Sequence, residues 1–132
     1  MLGTMDFVFT QEQIAPLVRV VRFVKPDVRP ELDSIADEET PLFRSLRSSL
    51  DDLPEGAHVI FNFGIIERFS TSFFQVMLRV RQLIRAKNGH VYLCGFRPEI
   101  RNAVELMGGS RLFIMTSEEQ QAILKASRAA CT

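Results

Sequence analysis

Three consecutive hydroxyl residues, Ser70-Thr71-Ser72, stand directly before a segment with helical hydrophobic spacing. A serine or threonine at the start of a helix accepts a backbone hydrogen bond, and this cap stabilises the helix by about 1 kcal/mol. A helix N-terminus also favours an anion by about 0.3 to 1 kcal/mol, so a phosphate on one of these hydroxyls is compatible with folding. At an interface, an unpaired phosphate costs on the order of 2 to 5 kcal/mol of binding free energy. The cluster is therefore a predicted helix cap, and a phosphate at this position would be compatible with the fold.

No other residues are spaced as a catalytic or ligand-binding set. His58 and His90 each precede an apolar strand pattern, and no serine or cysteine has a base that the sequence places beside it. Cys94 and Cys131 have no second cysteine nearby, so the spacing of a zinc site is missing. Gly108-Gly109 follows a helix pattern instead of opening one, which argues against a phosphate-binding loop. We therefore expect no enzymatic activity, no metal and no cofactor.

The composition predicts one domain without a strong electrostatic preference for a partner. A chain of 132 residues with 46% hydrophobic residues can form one core without disulfides or metals. Its 16 basic and 16 acidic residues cancel, which argues against direct binding of nucleic acid or an anionic membrane. The N-terminus lacks a basic-then-apolar signal, and the longest uncharged stretch, residues 56–66, is too short to span a bilayer. We expect a single cytoplasmic domain over residues 1–132, with residues 1–5 and 128–132 frayed.

Hydrophobic periodicity predicts strands and helices that alternate along the chain. Strand patterns occupy residues 6–10, 18–24, 58–63, 90–96 and 112–115, with a turn over residues 11–16 between the first two. Helix patterns begin at Thr40-Pro41, Ser70, Pro98 and Ser117, and the one over residues 70–87 is the longest. The terminal helix begins with a capping box over residues 117–120. Residues 25–40 are rich in proline and acid and have no sustained period.

The order β-β-α-β-α-β-α-β-α predicts an α/β fold with a mixed sheet of four or five strands and about four helices. Alternating elements form parallel strands joined by right-handed crossovers, whereas the first two strands can pair antiparallel. Residues 58–63 are almost all apolar, as expected of a central strand. The long helix has an apolar stripe: Phe73, Val76, Met77, Val80, Leu83 and Ile84. Basic residues on outer helix faces are interpreted as solvated surface and not as a nucleic-acid site: Arg79, Arg81, Arg85, Lys87, Arg97 and Arg101.

Three stretches, residues 62–74, 87–100 and 104–113, together resemble a known family. They read Asn-Phe-Gly-Ile-Ile-Glu-Arg-Phe-Ser-Thr-Ser-Phe-Phe, Lys-Asn-Gly-His-Val-Tyr-Leu-Cys-Gly-Phe-Arg-Pro-Glu-Ile and Val-Glu-Leu-Met-Gly-Gly-Ser-Arg-Leu-Phe. In order, they supply the end of a hydrophobic strand, a hydroxyl-bearing loop, an Asn-Gly turn after the long helix, a strand that ends in glycine, a proline-initiated helix and a Leu-Phe segment. This ordered set resembles the STAS domain family, the anti-sigma factor antagonists and their relatives. The resemblance implies a STAS-like mixed sheet.

The resemblance also implies a bacterial regulatory domain that binds a protein partner, often a kinase-type anti-sigma factor. In the family, phosphorylation of one serine in the loop before the long helix breaks the complex, and transcription changes as a result. Matched residue by residue, this serine falls on Ser70, and Thr71 is the second choice. The partner-binding segment implied by the match comprises Arg68, Phe69, Ser70, Thr71, Ser72, Phe73 and Phe74.

Two positions of this loop depart from the family pattern Asp-Ser-Ser/Thr-Gly. Phe69 stands where the family has aspartate, and Ser72 stands where it has glycine. A carboxylate beside the acceptor hydroxyl can assist phosphoryl transfer, and a phenyl ring cannot. Phe69 next to Phe73 can instead form an apolar contact patch for a constitutive partner or for self-association, or it can be a buried core residue.

Three functions stay open at the level of the sequence. The first is an anti-sigma factor antagonist switched at Ser70, and the second is an assembly or scaffold module that is never phosphorylated. The third is a small-molecule or lipid sensor with an apolar cleft between sheet and helix, which the 11 phenylalanines permit. A switch needs an accessible Ser70, an assembly module needs an oligomer indifferent to Ser70, and a sensor needs a hollow interior.

Overall fold

The computed structural model describes residues 8–28 and 41–131. Its strands are β1 (Phe9–Ala15), β2 (Val18–Phe23), β3 (Asp27–Val28), β4 (His58–Asn62), β5 (Arg68–Phe69), β6 (Val91–Cys94) and β7 (Ile114–Met115). Its helices are α1 (Pro41–Leu50), α2 (Thr71–Ala86), α3 (Pro98–Leu106), α4 (Gly109–Leu112) and α5 (Glu119–Cys131). Across these two ranges, no helix has the length and apolar character needed to cross a membrane.

Strand β4 lies at the centre of a five-stranded sheet with the order β1-β2-β4-β6-β7. β2 and β6 run parallel to it on either side, and β7 runs parallel to β6. β1 forms one edge and runs antiparallel to β2. The short strands β3 and β5 pair with each other in parallel, apart from the main sheet. The predicted α/β fold, with a mixed sheet and an antiparallel first pair, is confirmed.

Successive residues of the central strands point to opposite faces of the sheet, and each face has its own helical layer. On one face, Val59 and Phe61 of β4 belong to a core that includes buried residues of α1, α2 and α3. On the other face, Ile60 packs in a smaller core with α5, whose Ala122 and Ala126 are fully buried. The nearly continuous apolar run of β4 is explained by this cover on both faces.

Helix α2 is the longest helix, as predicted, and it presents a wide buried face to the sheet: Phe73, Phe74, Val76, Met77, Val80 and Ile84. The spacing also predicts Leu83 on the buried face, but Leu83 is 37% exposed. After the helix, Asn88 adopts a positive φ of 66°. A Cβ on Gly89 would lie 1.8 Å from the carbonyl oxygen of Ala57, so the backbones approach closely there and only glycine fits.

The turn predicted over residues 11–16 is wrong, because β1 continues to Ala15 and the turn occupies residues 16–17. Glu12, for example, pairs with Val20 of β2. The side chains in this part of β1 are exposed, and backbone hydrogen bonds hold an edge strand without an apolar alternation. The polar sequence of residues 10–13 therefore gives no strand pattern, although these residues are part of β1.

One further prediction needs correction near the C-terminus. The strand predicted over residues 112–115 is shorter, because Gly109–Leu112 forms α4 and only Ile114–Met115 forms β7. Gly108, in the left-handed conformation at φ 86°, precedes α4 and lets the chain reverse into it. Helix α5 continues through Cys131, which lies within the segment 128–132 for which fraying is predicted. Residues 1–7, 29–40 and 132, with the predicted cap at Thr40, lie outside the described residues.

We predict that Phe73→Ala lowers the free energy of unfolding by about 3 to 5 kcal/mol, because it leaves a cavity at a fully buried ring. The Phe73 ring lies 5.4 Å from the ring of Phe23 and 5.8 Å from that of Phe63, measured between centroids. Denaturant unfolding followed by circular dichroism measures the change. Leu83→Ala, on the exposed side of the same helix, is the control and should cost less than about 1.5 kcal/mol. Equal losses in the two variants would contradict this packing.

Candidate functional site

The segment of residues 63–70 leads from the carboxyl end of β4 to α2 and contains β5. The backbone N–H groups of Glu67 and Arg68 both donate to the carbonyl oxygen of Pro26, at 2.7 and 3.0 Å. β5 then pairs with β3, so the segment is held against the chain that follows β2. Near its start, the N–H of Ile66 donates to the carbonyl oxygen of Phe63 at 2.9 Å. This path to α2, which we call the α2 loop, is fixed by backbone hydrogen bonds.

Ser70 caps α2, as the sequence predicted. Its backbone is extended (φ −103°, ψ 166°), and its Oγ accepts a hydrogen bond from the N–H of Phe73 at 3.1 Å. Ser70 and Ser72 are half-buried, whereas Thr71 is exposed. The Ser70 hydroxyl therefore takes part in the fold while its residue remains partly accessible to solvent.

Phe69 stands where the resemblance predicts an aspartate, and it lies at the boundary between core and surface. It is half-buried, and its ring meets the ring of Phe73 edge to face, with 5.6 Å between centroids. Phe73 itself is fully buried in a cluster with Phe23 and Phe63. Phe69 thus extends an internal aromatic cluster to the surface beside Ser70. The sequence left open whether Phe69 is exposed for contact or buried in the core, and the structure places it between these two cases.

The residues predicted to bind a partner divide into a buried and an accessible group. Phe73 and Phe74 are 0% and 6% exposed, and Phe74 packs edge to face against Phe113. These two rings support the α2 loop from inside the core. Arg68 and Thr71 are exposed. With the half-buried Phe69, Ser70 and Ser72, they make up the accessible part of the predicted segment.

Two further accessible side chains of the α2 loop were not predicted from the sequence. Ile65 is a large apolar residue that is 43% exposed. Glu67 is also exposed and forms an ion pair with Arg97 at 3.3 Å. Ile65 and Phe69 therefore give this loop apolar surface, and Glu67 and Arg68 give it charges of both signs. Such a mixture is typical of transient protein interfaces.

A polar network at the carboxyl edge of the sheet positions the start of the α2 loop. The side-chain amide of Asn62, the last residue of β4, donates to Glu119 Oε1 at 2.8 Å. Its Oδ1 accepts a hydrogen bond from the N–H of Gly64 at 2.7 Å. Arg22 of β2 donates to both carboxylate oxygens of Glu119, at 3.0 and 2.7 Å, and to Glu12 of β1 at 2.8 Å. The network joins three strands, the α2 loop and the first residue of α5.

Close approach of two glycines makes room for the Asn62 side chain. A Cβ on Gly95, which has φ 79°, would lie 2.7 Å from Asn62 Oδ1, and one on Gly64 would lie 2.9 Å from it. The N–H of Gly95 donates to the carbonyl oxygen of Ser117 at 3.1 Å. Gly95, the glycine directly after β6 that the sequence resemblance singled out, therefore has a physical role at the α2 loop.

The charges of this network stabilise one another. Hydrogen bonds from Arg22 hold the pKa of Glu119 below its ordinary value, and the bond from Asn62 acts in the same direction. The hydrogen bonds with Glu119 and Glu12 in turn raise the pKa of Arg22. Both partners therefore stay ionised, as charge-assisted bidentate hydrogen bonds require. Within the described residues, none of these four side chains contacts the Ser70 hydroxyl.

The remaining titratable candidates are His58, His90 and Cys94. His58 is 4% exposed and stacks on His90 with 5.5 Å between ring centroids, and burial is the main cause that lowers the pKa of both. Burial raises the pKa of the Cys94 thiol to about 12, so it is inert as a nucleophile. No group of three or more histidine, cysteine, aspartate or glutamate residues within 8–28 and 41–131 is arranged to hold a metal ion.

Several basic residues predicted as solvated surface are bound to the domain itself. The Arg79 guanidinium lies 4.3 Å from the centre of the Phe43 ring, a cation–π contact between α2 and α1. Arg81 donates to the carbonyl oxygen of Leu112, and Lys87 Nζ donates to that of Leu53 at 2.9 Å. These side chains tie α2 to its neighbours, so they do not form a free basic patch.

A model of the STAS domain family matches residues 22–122 of the chain. The chain belongs to the STAS domain family. The match runs from β2 into α5 and includes the whole α2 loop. No curated protein sequence matches the chain closely enough to count as a relative.

Solved structures agree with this STAS fold. An anti-sigma-factor antagonist (STAS) domain protein from Planctomyces limnophilus has a TM-score of 0.74 at 16% identity, over 90% of this chain and 97% of that one. The Bacillus cell fate determinant SpoIIAA in its phosphorylated form has a TM-score of 0.60 at 17% identity, over 89% and 97%. The murine Slc26a9 anion transporter has a TM-score of 0.67 at 10% identity, over 88% of this chain but 18% of that one. At these identities the likeness shows the fold and no particular function.

We predict that Ser70→Ala lowers the free energy of unfolding by about 0.5 to 2 kcal/mol, because Phe73 N–H loses its capping acceptor. Ser70→Asp should keep wild-type stability to within about 0.5 kcal/mol, since aspartate caps equally well and its charge suits the helix dipole. Urea denaturation measures both changes. Thr71→Ala, at the exposed neighbouring hydroxyl, is the control and should have little effect. A stable Ser70→Ala variant would show that the cap is dispensable.

We predict that Glu119 stabilises the domain at neutral pH and that this contribution disappears in acid. Its pKa in the folded state is lowered from 4.5 by Arg22, so the stabilisation is complete above the unfolded value and is lost as pH falls through the folded one. Glu119→Gln should therefore be clearly less stable than wild type at about pH 7, and this difference in stability should narrow as the pH falls below 4.5. Urea titrations at several pH values measure this difference. If the difference in unfolding free energy between wild type and Glu119→Gln were the same at every pH, the ion pair would not be its cause.

Proposed function

We propose that this STAS domain is a non-enzymatic regulatory domain that binds a protein partner through the α2 loop, as an anti-sigma factor antagonist. Phosphorylation of Ser70 controls the complex, with Thr71 as the second acceptor. The observation that carries the proposal is the position of Ser70, a half-buried residue whose hydroxyl caps α2 at the end of a loop of mixed apolar and charged surface. The proposal places the domain in the bacterial cytoplasm, as one unit over residues 1–132.

The cap position makes phosphorylation compatible with the fold. Among the described residues, Ser70 Oγ accepts one hydrogen bond, from Phe73 N–H, and phosphate oxygens at the same place can accept it instead. The positive end of the α2 dipole favours the added charge. The free-energy cost of the phosphate therefore falls on a bound partner and not on the domain.

The surface beside Ser70 fits a protein partner. Ile65 and Phe69 supply apolar area, and the ring of Phe69 packs against the buried ring of Phe73, which holds it in place. An anchored aromatic residue loses little freedom when a partner covers it, which is why such residues contribute strongly to binding. A dianion at Ser70 would then face desolvated apolar surface, at a cost on the order of 2 to 5 kcal/mol. A kinase-type anti-sigma factor is the partner that fits such a switch.

Phe69 also favours a second candidate function, a constitutive assembly module. Its ring stands where the family has a carboxylate and projects to the surface beside Ser70, so it supplies apolar contact area without helping phosphoryl transfer. In this case the α2 loop binds a second copy of the domain or a signalling complex, and Ser70 acts only as a helix cap. The two candidates share one surface and differ in whether charge at Ser70 matters.

We predict that Ser70→Asp abolishes the complex and that Ser70→Ala retains it. The domain and its variants are used as baits in the native host, and mass spectrometry identifies the bound proteins and any phosphate on Ser70 or Thr71. Ser48→Asp, which adds the same charge at an exposed position of α1, is the matched control and should keep the partner. Ile65→Glu should lose it without phosphorylation, since a charge then replaces apolar contact area.

The outcomes separate the two candidates. A kinase-like protein bound by wild type, Ser70→Ala and Ser48→Asp, but not by Ser70→Asp, supports the switch. Partners that are bound equally by all the serine variants and lost only with Ile65→Glu support the assembly module. Loss of the partner with Ser48→Asp as well as with Ser70→Asp would mean that added charge acts non-specifically, and would count against both proposals.

A further inference from the structure

An open groove of about 430 Å³ lies between α3, the end of β7 and α5, separate from the α2 loop. Arg101 lines it from α3, Met115 and Ser117 line it from β7 and the residues after it, and Lys125 and Arg128 line it from α5. Small-molecule sites in proteins have volumes of about 300 to 1,000 Å³, so the space suits a small organic molecule. The groove lies beside β7, the strand at the opposite edge of the sheet from β1.

The charge of this groove is unbalanced although the chain as a whole is neutral. Its lining within the described residues includes three cationic side chains and no acidic one. Lys125 and Arg128 have no ion-pair partner in residues 8–28 and 41–131, and Arg101 pairs with Glu105 of its own helix at 3.3 Å. An exposed pair of this kind is weak and is easily exchanged for a stronger anion. The three cations are therefore available to a ligand.

The residues of α5 that line the groove lie on one face of the helix. Gln121, Leu124, Lys125 and Arg128 follow the spacing of one helical stripe and line the groove together. Ala122 and Ala126, on the adjoining stripe, are fully buried against the sheet. Because this buried stripe fixes the rotation of α5, the cationic stripe keeps its orientation towards Arg101.

The backbone N–H groups of the two residues before α5 are already occupied, and the first two residues of α5, Glu119 and Gln120, do not line the groove. Gln121 Oε1 accepts hydrogen bonds from Ser117 N–H at 3.0 Å and from Glu118 N–H at 3.2 Å. These are the back-bonds of a capping box. The sequence predicted that Gln120 would make them, but Gln121, the next residue, does so. Thr116 Oγ1 donates to the carbonyl oxygen of Glu118 at 3.0 Å. Recognition of an anion in the groove therefore falls to Arg101, Lys125 and Arg128.

We propose that this groove binds an organic phosphate. The guanidinium groups of Arg101 and Arg128 can donate bidentate hydrogen bonds to phosphate oxygens, and Lys125 adds a third positive charge. Met115 and Leu124, the apolar residues of the lining, contact the carbon part of the ligand. Leu124 is 48% exposed, so a bound ligand also shields apolar surface that otherwise faces water. A small phosphorylated solute and the headgroup of a phospholipid share this chemistry.

The test measures direct binding to the whole domain by isothermal titration calorimetry. Phenyl phosphate, which joins a phosphate to an apolar body, and inorganic phosphate are the soluble probes. Flotation with phosphatidylcholine vesicles, with and without phosphatidic acid, tests the lipid source. The variants are Arg101→Gln and the double variant Lys125→Gln with Arg128→Gln. Arg111→Gln removes an exposed cation outside the groove and is the matched control.

We expect phenyl phosphate to bind more tightly than inorganic phosphate and each groove variant to weaken it about tenfold, with Arg111→Gln within about twofold of wild type. Vesicle binding that requires phosphatidic acid and is lost in the same variants assigns the phosphate to a lipid headgroup. Binding of the soluble probe alone assigns it to a solute. No binding of any probe, or equal weakening by Arg111→Gln in a folded protein, would overturn the proposal.

Discussion

The Glu119 carboxylate accepts hydrogen bonds from Arg22 on β2 and from Asn62 at the end of β4. These bonds place the first residue of α5 over the carboxyl ends of two parallel strands. The apolar contacts of α5 with the sheet include Ala122, Ile123 and Ala126, and they determine which face of the helix meets the sheet. Charge-assisted bonds are directional, so Glu119 determines where the first residue of α5 lies relative to the strand ends.

The same network determines where the α2 loop leaves the sheet. Asn62 holds the N–H of Gly64 at the start of the loop, the carbonyl oxygen of Pro26 holds its middle, and Ser70 holds the first turn of α2 at its end. A loop attached at three points has little conformational freedom left to lose when a partner binds. Preorganisation of this kind favours affinity without requiring a large interface.

Local sequence patterns predicted the central strand β4 and the helix α2, because an apolar run and a helical stripe are properties of neighbouring residues. They also predicted the cap at Ser70. The bond between Asn62 and Glu119 joins residues 57 positions apart, and no local pattern reports it. The half-buried position of Phe69 depends on the packing of Phe73 beneath it, and β1 depends on its ladder with β2, so both required the three-dimensional structure.

The edge strand β1 has a consequence for how the domain behaves at high concentration. An exposed strand edge can recruit another strand, and proteins oppose this with polar side chains and bulges. β1 has both, since residues 10–13 are exposed and polar and the pairing with β2 is irregular between Gln13 and Ala15. The Gln13 amide also donates to the carbonyl oxygen of Ala15 at 2.6 Å, which occupies an acceptor at the irregularity. These features oppose the pairing of β1 with a strand of another molecule.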